Sequence, residues 1–273
     1  MAREAPVRFG AVGWLAHVGD ALASVLLPAA CRICENLLTR ASRVPVCDDC
    51  LASFEPLPRR ICHICGVPPL TFGDAAGAES LCPACRNKIF AFERARSFAF
   101  YDRALVRAVL LLKFQRIEPL GAWFAARMAE VVERESELLH ADVVVPVPLH
   151  RVREKERGYN QAELLAKPLA KRLKLPRQSA LLMRTRPRPD KQVLSLDERW
   201  ESVRGAFATR PGSQVDNRRV LLVDDVMTTG ATLDACSRAL LEAGAKAVVG
   251  LTVARAIRDP LTRSSDEDPR NAR

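Results

Sequence analysis

One segment of the sequence decides the fold, and it runs Val220-Leu221-Leu222-Val223-Asp224-Asp225-Val226-Met227-Thr228-Thr229-Gly230-Ala231-Thr232. Its first four residues are apolar, which predicts a central parallel strand buried on both faces. The carboxylates of Asp224 and Asp225 follow where this strand is expected to leave the sheet. A hydroxyl-rich loop and a helix come next. Ligands of open α/β folds bind at this carboxyl edge, so the segment predicts a binding site.

The loop after the two acids has the composition of a phosphate site. It offers threonine hydroxyls and backbone N–H groups at the positive end of the next helix. Gly230 lets the backbone approach a ligand without a Cβ in the way. Two carboxylates beside such a loop suit a sugar phosphate, with the acids on the ribose hydroxyls.

Two other interpretations of this segment are weaker. The Asp and Thr residues could merely cap the helix, but two carboxylates, three threonines and a glycine in nine positions exceed what a cap needs. A P-loop nucleotide site is a poorer fit, because the pattern G-x-x-x-x-G-K-[ST] is absent and the loop has no lysine.

Bulk composition limits the protein class without choosing a function. The chain has 273 residues, 48% of them hydrophobic, and a formal net charge of +10. Such a charge attracts phosphates, nucleic acid or anionic lipid, and charge alone does not choose among them. No apolar run reaches the ~18 residues that a membrane span needs. We therefore expect a cytoplasmic protein that has no membrane span.

Eight of the nine cysteines form four C-x-x-C pairs, namely Cys31/Cys34, Cys47/Cys50, Cys62/Cys65 and Cys82/Cys85. Each pair can present two thiolates to one metal ion, and two pairs complete a tetrahedral Cys₄ zinc site. Pairing in chain order predicts two small zinc ribbons, and cross-pairing between the knuckles stays open. A closed Cys₄ site is structural, so one or two zinc ions are expected to fold this region.

Disulfides are the main alternative for these cysteines, but they suit a secreted chain, and no convincing signal peptide precedes them. Redox chemistry is a second alternative, yet a thioredoxin-type pair does not normally occur four times. The ninth cysteine, Cys236, is predicted to be buried in the helix after the phosphate loop.

The rest of the chain predicts four parts: an amphipathic helix over residues 1–30, a zinc module over 31–90, an α/β domain over 94–257 and a disordered tail over 258–273. Within the α/β domain, a buried strand over Asp142–Val147 is followed by a basic loop over Leu149–Gln161. A basic loop leaving a strand suits a pyrophosphate, although a solvated charged turn is an equal alternative. The long polar segment that follows, from Thr185, has the features of a lid.

Taken together, these motifs resemble the competence protein F family, described as a double zinc ribbon fused to a type I phosphoribosyltransferase domain. The resemblance is carried by the four C-x-x-C pairs, Pro146–His150, Arg157–Gln161, Gln192–Ser195 with Arg199, Gly205–Phe207 and the loop at Asp224–Thr232. It implies a parallel α/β sheet with helices on both faces, preceded by the zinc module. The Arg-Asn often seen in the family before Gly-Ala-Phe is missing from Arg199–Arg204, which leaves the contacts of the flap undetermined.

The resemblance also implies roles for individual residues. Asp224, Asp225 and Arg157 would be catalytic, with the acids on the ribose hydroxyls. The 5′-phosphate would lie on Val226, Met227, Thr228, Thr229, Gly230, Ala231 and Thr232. The pyrophosphate would contact His150, Arg151, Arg153 and Arg157. The ligand would be phosphoribosyl pyrophosphate with Mg²⁺, and residues Thr185–Arg204 would form a mobile flap over it.

Three functions follow from these features. The first is a phosphoribosyltransferase that displaces pyrophosphate from C1 of the ribose. The second is a non-catalytic module that senses the same ligand and binds single-stranded DNA or proteins of DNA uptake in natural transformation, as the resemblance implies. The third is a nucleic-acid binder driven by charge, whose binding would depend steeply on salt and not on Asp224 or Asp225.

Overall fold

The structure is a computed structural model, which describes residues 29–38, 42–68, 80–187, 195–213 and 215–257. The predicted N-terminal helix, except residues 29 and 30, therefore lies outside the described residues, as do the whole predicted C-terminal tail and the middle of the flap. The chain divides into two compact units between Phe54 and Glu55. The predicted limits of the zinc module, 31–90, stay a prediction.

A four-stranded parallel sheet forms the centre of the second unit. Its strands are β1 (Arg94–Phe100), β2 (Val143–Pro146), β5 (Arg219–Met227) and β6 (Ala247–Arg255), in the spatial order β1-β6-β5-β2. The predicted α/β class with a parallel sheet is confirmed. A small antiparallel pair, β3 (Leu182–Arg184) and β4 (Phe207–Thr209), stands apart from this sheet.

Helices cover the sheet because its strands are apolar on both faces. These helices are α3 (Arg103–Gln115), α4 (Glu118–Arg134), α6 (Gln161–Leu173) and α8 (Ala231–Glu242). Val220 and Leu222 of β5 share a buried cluster with Leu233 and Cys236 of α8. Successive side chains of a strand alternate, so Leu221 and Val223 point to the other face, and α6 contacts β5 and β2.

Close packing fixes the helices on the sheet and on each other. A Cβ at Gly121 of α4 would lie 2.9 Å from the carbonyl oxygen of Leu164 in α6. A Cβ at Gly250 of β6 would lie 2.9 Å from Cδ1 of Leu233 in α8. Glycine at these two positions therefore lets α4 approach α6, and β6 approach α8.

The predicted basic loop is wrong in its secondary structure. Residues Arg151–Arg157 form a short helix, α5, which His150 caps and which Gly158 ends with a positive φ of 79°. The signal was present in the sequence, because Gly158 is placed as a helix C-terminal glycine. A second short helix, α7 (Leu196–Glu201), begins with a capping box between Ser195 and Glu198 in the predicted flap.

The first unit contains one short helix, α1 (Asp48–Ala52), and a bridge between Ala30 and Leu37. The second unit begins before the sheet with the other cysteine pairs and helix α2 (Pro83–Arg86). Along the part of the chain that the structure describes, no helix is long and apolar enough to cross a membrane.

Candidate functional site

The two acids lie inside strand β5 and not after it, which corrects the sequence prediction. β5 stays paired with β6 as far as Met227, opposite Arg255, but its pairing with β2 ends where Pro146 meets Val223. Asp224 and Asp225 therefore lie just beyond the end of β2. Beyond Val223, β5 keeps its pairing with β6 alone among the described strands, because β2 has ended and the chain continues toward α5.

Asp225 forms an ion pair that the sequence did not reveal. Nζ of Lys113, near the end of α3, lies 3.2 Å from Oδ2 of Asp225. This oxygen of Asp225 is buried, and the ion pair with Lys113 is the contact that holds it. Burial alone lowers the pKa of Lys113, but the charges of Asp225, Tyr101 and Asp224 outweigh it and raise that pKa above its ordinary value. Lys113 thus stays a cation beside the acids.

Asp224 is buried and is held by the backbone of its neighbour. Its Oδ1 accepts a hydrogen bond from the N–H of Asp225 at 2.8 Å. Burial and the charge of Asp225 raise the pKa of Asp224 to about 8, against the opposing effects of that N–H and of Lys113. Asp224 therefore holds its proton more readily than an exposed carboxyl does, as expected for a buried acid beside a second carboxyl.

The loop after the acids turns at Gly230, where helix α8 begins. Gly230 has φ +85° and begins helix α8 without a side-chain cap. Thr229 accepts a hydrogen bond from the N–H of Ala231 through its Oγ1, at 3.3 Å. The first N–H groups of an α-helix have no acceptor within the helix, so the start of α8 presents donors and a positive dipole.

Helix α5 places the predicted pyrophosphate residues at the surface. None of its residues is buried, and Arg151, Arg153, Lys155 and Arg157 give it four cations within seven residues. His150 has a structural role, because its Nδ1 accepts a hydrogen bond from the N–H of Val152 at 3.4 Å. The ring therefore caps α5 through one nitrogen.

Of the four predicted pyrophosphate residues, the structure brings Arg157 into the electrostatic neighbourhood of the acids. Its Nη1 donates to Oε1 of Gln161 at 2.6 Å, and its guanidinium lies 5.0 Å from the ring centre of Phe114. Burial lowers the pKa of Arg157, while the negative charge of Asp225 acts to raise it. Because Phe114 directly follows Lys113, the end of α3 contacts both Arg157, through Phe114, and Asp225, through Lys113.

Tyr159 fixes the end of α3 to the segment between α5 and α6. Its hydroxyl donates to the carbonyl oxygen of Leu112 at 3.0 Å and accepts from the N–H of Arg116 at 2.9 Å. Asn160 caps α6 and donates from Nδ2 to the carbonyl oxygen of Val147 at 3.0 Å. These bonds give the Gly158–Gln161 part of the motif a role in positioning.

Two groups of four cysteines can each hold a metal ion. They are Cys31, Cys34, Cys47 and Cys50, and Cys62, Cys65, Cys82 and Cys85, with the sulfurs of each group within 4.8 Å of one another. The sequential pairing is confirmed, and no disulfide joins the cysteines that the structure describes. Within the groups, Sγ of Cys34 lies 3.6 Å from that of Cys47, and Sγ of Cys65 lies 3.6 Å from that of Cys82. Tetrahedral zinc with Zn–S bonds of about 2.3 Å requires sulfurs about 3.8 Å apart, so both groups fit it.

The second group lies beside a buried cation. Arg255 ends β6, and its Nε and Nη1 are buried without hydrogen-bond partners. Burial lowers the pKa of Arg255, whereas the negative charges of the four cysteines act in the opposite direction. Four thiolates and Zn²⁺ together carry two negative charges, and a buried guanidinium is a suitable counter-charge.

Sequence reasoning missed Lys113, Phe114 and Arg255. No motif marks them, because each acts through a neighbour that is distant in the chain. The predicted roles of Asp224, Asp225 and Val226–Thr232 in binding stay predictions, as do those of His150–Arg153 and Arg157.

The chain was compared with known protein families and with characterised proteins. Residues 160–268 match the family model of the phosphoribosyl transferase domain. The chain is 31% identical to the DNA utilization protein YhgH of Escherichia coli K12 over 225 residues, which are 81% of this chain and 95% of that protein. It is 33% identical to competence protein F of Haemophilus influenzae over 136 residues, 48% of this chain and 59% of that protein.

Among solved structures, the glutamine phosphoribosylpyrophosphate amidotransferase from B. subtilis is 25% identical, with a TM-score of 0.33 over 48% of this chain and 26% of that one. The match to YhgH covers nearly all of that relative, and the family domain matches the part of the chain that contains the paired acids, the loop Val226–Thr232 that is predicted to bind phosphate, and α6. The chain therefore belongs to the family of competence protein F and DNA utilization protein YhgH, with a phosphoribosyl transferase domain after its cysteine clusters.

Proposed function

We propose that the protein binds phosphoribosyl pyrophosphate with Mg²⁺ at the carboxyl edge of the sheet and transfers the phosphoribosyl group to an acceptor. The observation that supports this most is the buried acid pair beyond the end of β2, with Lys113 at one acid and the glycine-containing loop after it. Two zinc ions in the Cys₄ groups would hold the N-terminal part of the protein.

The residues of the site suit this ligand in three separate places. Asp224 and Asp225 are the oxygen ligands for ribose hydroxyls. Oδ2 of Asp225 is already ion-paired with Lys113 at 3.2 Å, which holds this carboxylate in place for the ligand. The start of α8 suits the 5′-phosphate. Mg²⁺ would lie mainly on ligand oxygens, with the paired acids as the carboxylates of this chain nearest to it.

The proposed reaction breaks the bond between C1 of the ribose and the pyrophosphate oxygen, and forms a bond from C1 to the acceptor. The transition state has oxocarbenium character, so the chain must place charge and has no need of a nucleophile. Arg157 is held by Gln161 and Phe114, and the negative charge of Asp225 acts on its guanidinium. A cation in this position suits stabilisation of the departing pyrophosphate. Arg151 and Arg153 would supply further charge from the surface of α5.

A calorimetric titration with phosphoribosyl pyrophosphate and Mg²⁺ tests the binding. The Asp225→Asn variant should lose affinity by about 100-fold, about 2.7 kcal/mol, because a carboxylate facing the ribose is replaced by a neutral amide. Glu130→Gln on the exposed face of α4 is the control, and its affinity should equal that of the unchanged protein. Equal affinities for Asp225→Asn and the control would contradict the proposal.

A non-catalytic function is the second candidate, and one surface observation favours it. Phe114 is 66% exposed beneath the guanidinium of Arg157, next to the basic helix α5. Aromatic side chains among cations are typical of single-stranded nucleic-acid binding. The names of the two relatives also concern DNA use and competence.

Pyrophosphate release separates the two functions. An enzyme releases pyrophosphate in the presence of its acceptor, whereas a sensor binds the ligand and retains single-stranded DNA without turnover. A binder driven only by charge would retain DNA equally well after Asp225→Asn. The cytoplasmic location stays a prediction under each of these functions.

A further inference from the structure

The second cysteine group is connected to the phosphate loop by one short segment, residues 86–93, which runs from the last cysteine to strand β1. Its start is bonded to the metal knuckle, since the N–H of Lys88 donates to the carbonyl oxygen of Cys85 at 3.1 Å. Its middle is bonded to helix α8. The N–H of Ala91 donates to Oδ1 of Asp234 at 2.7 Å, and Arg238 donates from Nη2 to the carbonyl oxygen of Ile89 at 3.1 Å.

The two α8 side chains that bond to this segment, Asp234 and Arg238, also pair with each other. Asp234 is buried, and its Oδ2 pairs with Nε of Arg238 at 2.8 Å one turn further along the helix. The segment is therefore held over the first turns of the helix that the phosphate loop begins. Neither of these contacts involves the acids or the predicted ligand residues.

Phe90, at the centre of the segment, packs directly on the loop. A Cβ built on Gly230 would lie 2.8 Å from Cε1 of the Phe90 ring, so the ring touches the loop where glycine leaves space for it. The ring also stacks on Phe92, with 4.6 Å between centroids, and contacts Trp200 of α7 at 5.9 Å. One aromatic side chain thus contacts the phosphate loop, the flap and the segment that leaves the metal knuckle.

We propose that Phe90 is a positioning residue, which holds the phosphate loop in its binding conformation only while the second cysteine group holds its metal. The four sulfurs of that group lie within 4.8 Å of one another in the buried cluster against which Phe90 packs, so the order of this knuckle depends on the metal that joins them. The loss of metal would free the segment at Cys85 and move the ring away from Gly230. The donors at the start of α8 would then be less well ordered, and phosphate would bind more weakly. By reciprocity, bound phosphate would slow the loss of metal. This last consequence rests on the proposed function.

Amide hydrogen exchange tests the contact without any ligand. In Phe90→Ala, the amides of residues 228–233 should exchange about tenfold faster than in the unchanged protein. The matched control is Ile89→Ala, which shortens an exposed neighbour on the same segment and leaves its carbonyl bond to Arg238 in place. Phe90→Leu should restore most of the protection, because a large apolar side chain again covers Gly230.

The role of the metal is tested by the same measurement on Cys85→Ser and Cys34→Ser, which each remove one ligand from a different group. Cys85→Ser should reproduce the exchange of Phe90→Ala in the loop, and Cys34→Ser should not. Equal loop exchange in Phe90→Ala and Ile89→Ala would overturn the inference. An unchanged loop in a folded Cys85→Ser protein would overturn it as well.

Release of zinc to a chromogenic chelator tests reciprocity. Phosphoribosyl pyrophosphate with Mg²⁺ should slow release from the second group about fivefold in the unchanged protein and in Ile89→Ala, but not in Phe90→Ala. Binding in calorimetry without this slowing would overturn the inference and leave the proposed function intact. The absence of binding in calorimetry would refute the proposed function, and the exchange measurements would still decide whether Phe90 positions the loop.

Discussion

The two cysteine groups share their C-x-x-C spacing but differ in their surroundings. In the first group Cys34 is exposed and Cys47 half-buried, whereas all four cysteines of the second group are buried. The second group also belongs to a hydrophobic cluster that contains Val145 of β2 and Leu222 of β5. One ligand spacing therefore serves a small solvent-exposed site in the first unit and a site built into the core of the second.

Hydrogen bonds join the second group to the sheet. The N–H of Ala95 in β1 donates to the carbonyl oxygen of Ile64, between Cys62 and Cys65, at 2.7 Å. Nη1 of the buried Arg96 donates to the same oxygen at 3.4 Å. Ligand spacing therefore fixes the metal site, whereas the neighbouring strand decides how much of the protein depends on that site.

The first knuckles of the two groups show this difference at a single residue. The residue after the second cysteine has a positive φ in both, 65° at Glu35 and 68° at Gly66. Each N–H closes the same turn at 2.9 Å, to Cys31 and Cys62 respectively. A Cβ at Gly66 would lie 2.8 Å from the backbone oxygen of Ala95, whereas the exposed Glu35 tolerates its side chain.

The largest effect is expected from removing one buried ligand of each group. Cys62→Ser should lower the unfolding free energy of the second unit by about 4 kcal/mol, because the metal and the core around it are both lost. Cys31→Ser, equally buried in the first group, should affect the transition of the first unit alone. Calorimetry with metal analysis measures both, and equal losses in the second unit would remove the distinction between the groups.

The next effect is a pH dependence confined to the second unit. Because the pKa of Asp224 is raised to about 8, the folded protein binds a proton that the unfolded chain releases near pH 4. The stability that this proton contributes is complete below about pH 4 and is lost as the pH rises toward 8. Within that interval, the unfolding free energy of the second unit should fall by about 1 kcal/mol per pH unit.

Urea denaturation of Asp224→Asn at pH 5 and pH 8 measures this effect. The variant should lose most of that slope and exceed the unchanged protein in stability at pH 8. Acid release of metal acts differently, since it destabilises both units at low pH. A slope unaffected by the substitution would assign the pH dependence to another group.

A smaller effect is expected from Gly66→Ala. The added methyl would meet the carbonyl oxygen of Ala95 and impose a positive φ on alanine, at a cost of about 2 kcal/mol. The matched change, Glu35→Gly, should stabilise the first unit by up to about 1 kcal/mol because it relieves the same backbone conformation. Thermal unfolding of the two variants compares them, and opposite signs are the expected result.

The smallest effect concerns Arg255. Arg255→Met keeps most of the buried volume but removes the cation beside the second group, so zinc should leave that group about tenfold faster, about 1.4 kcal/mol. The first group is an internal control in a chelator assay that resolves two phases of release. Equal acceleration of both phases would show that the variant acts on stability in general.

Much of the fold was predictable because its signals are local. Three features each predict a local structure from a few residues. They are the apolar run before Asp224, the glycine at residue 230 and the four C-x-x-C pairs. The strand predicted over Asp142–Val147 is observed as β2 (Val143–Pro146), and Cys236 is buried in α8 as expected. Helix α5 was missed because its charge pattern resembles that of a loop.

By itself, the sequence determined the buried strand before the paired acids, the helix after Gly230, the acids' position near the carboxyl edge and the residue types at the two metal sites, since backbone geometry and ligand chemistry act over a few residues. The tertiary structure alone decided which cysteine pairs share a site, that Lys113 faces Asp225 across 112 residues of chain, and that Phe90 covers Gly230. These contacts depend on the strand order β1-β6-β5-β2, which brings together the ends of segments that are distant in the chain. No local sequence pattern predicts these contacts. Their stabilising free energy comes from packing and charge between elements that become neighbours only when the sheet forms.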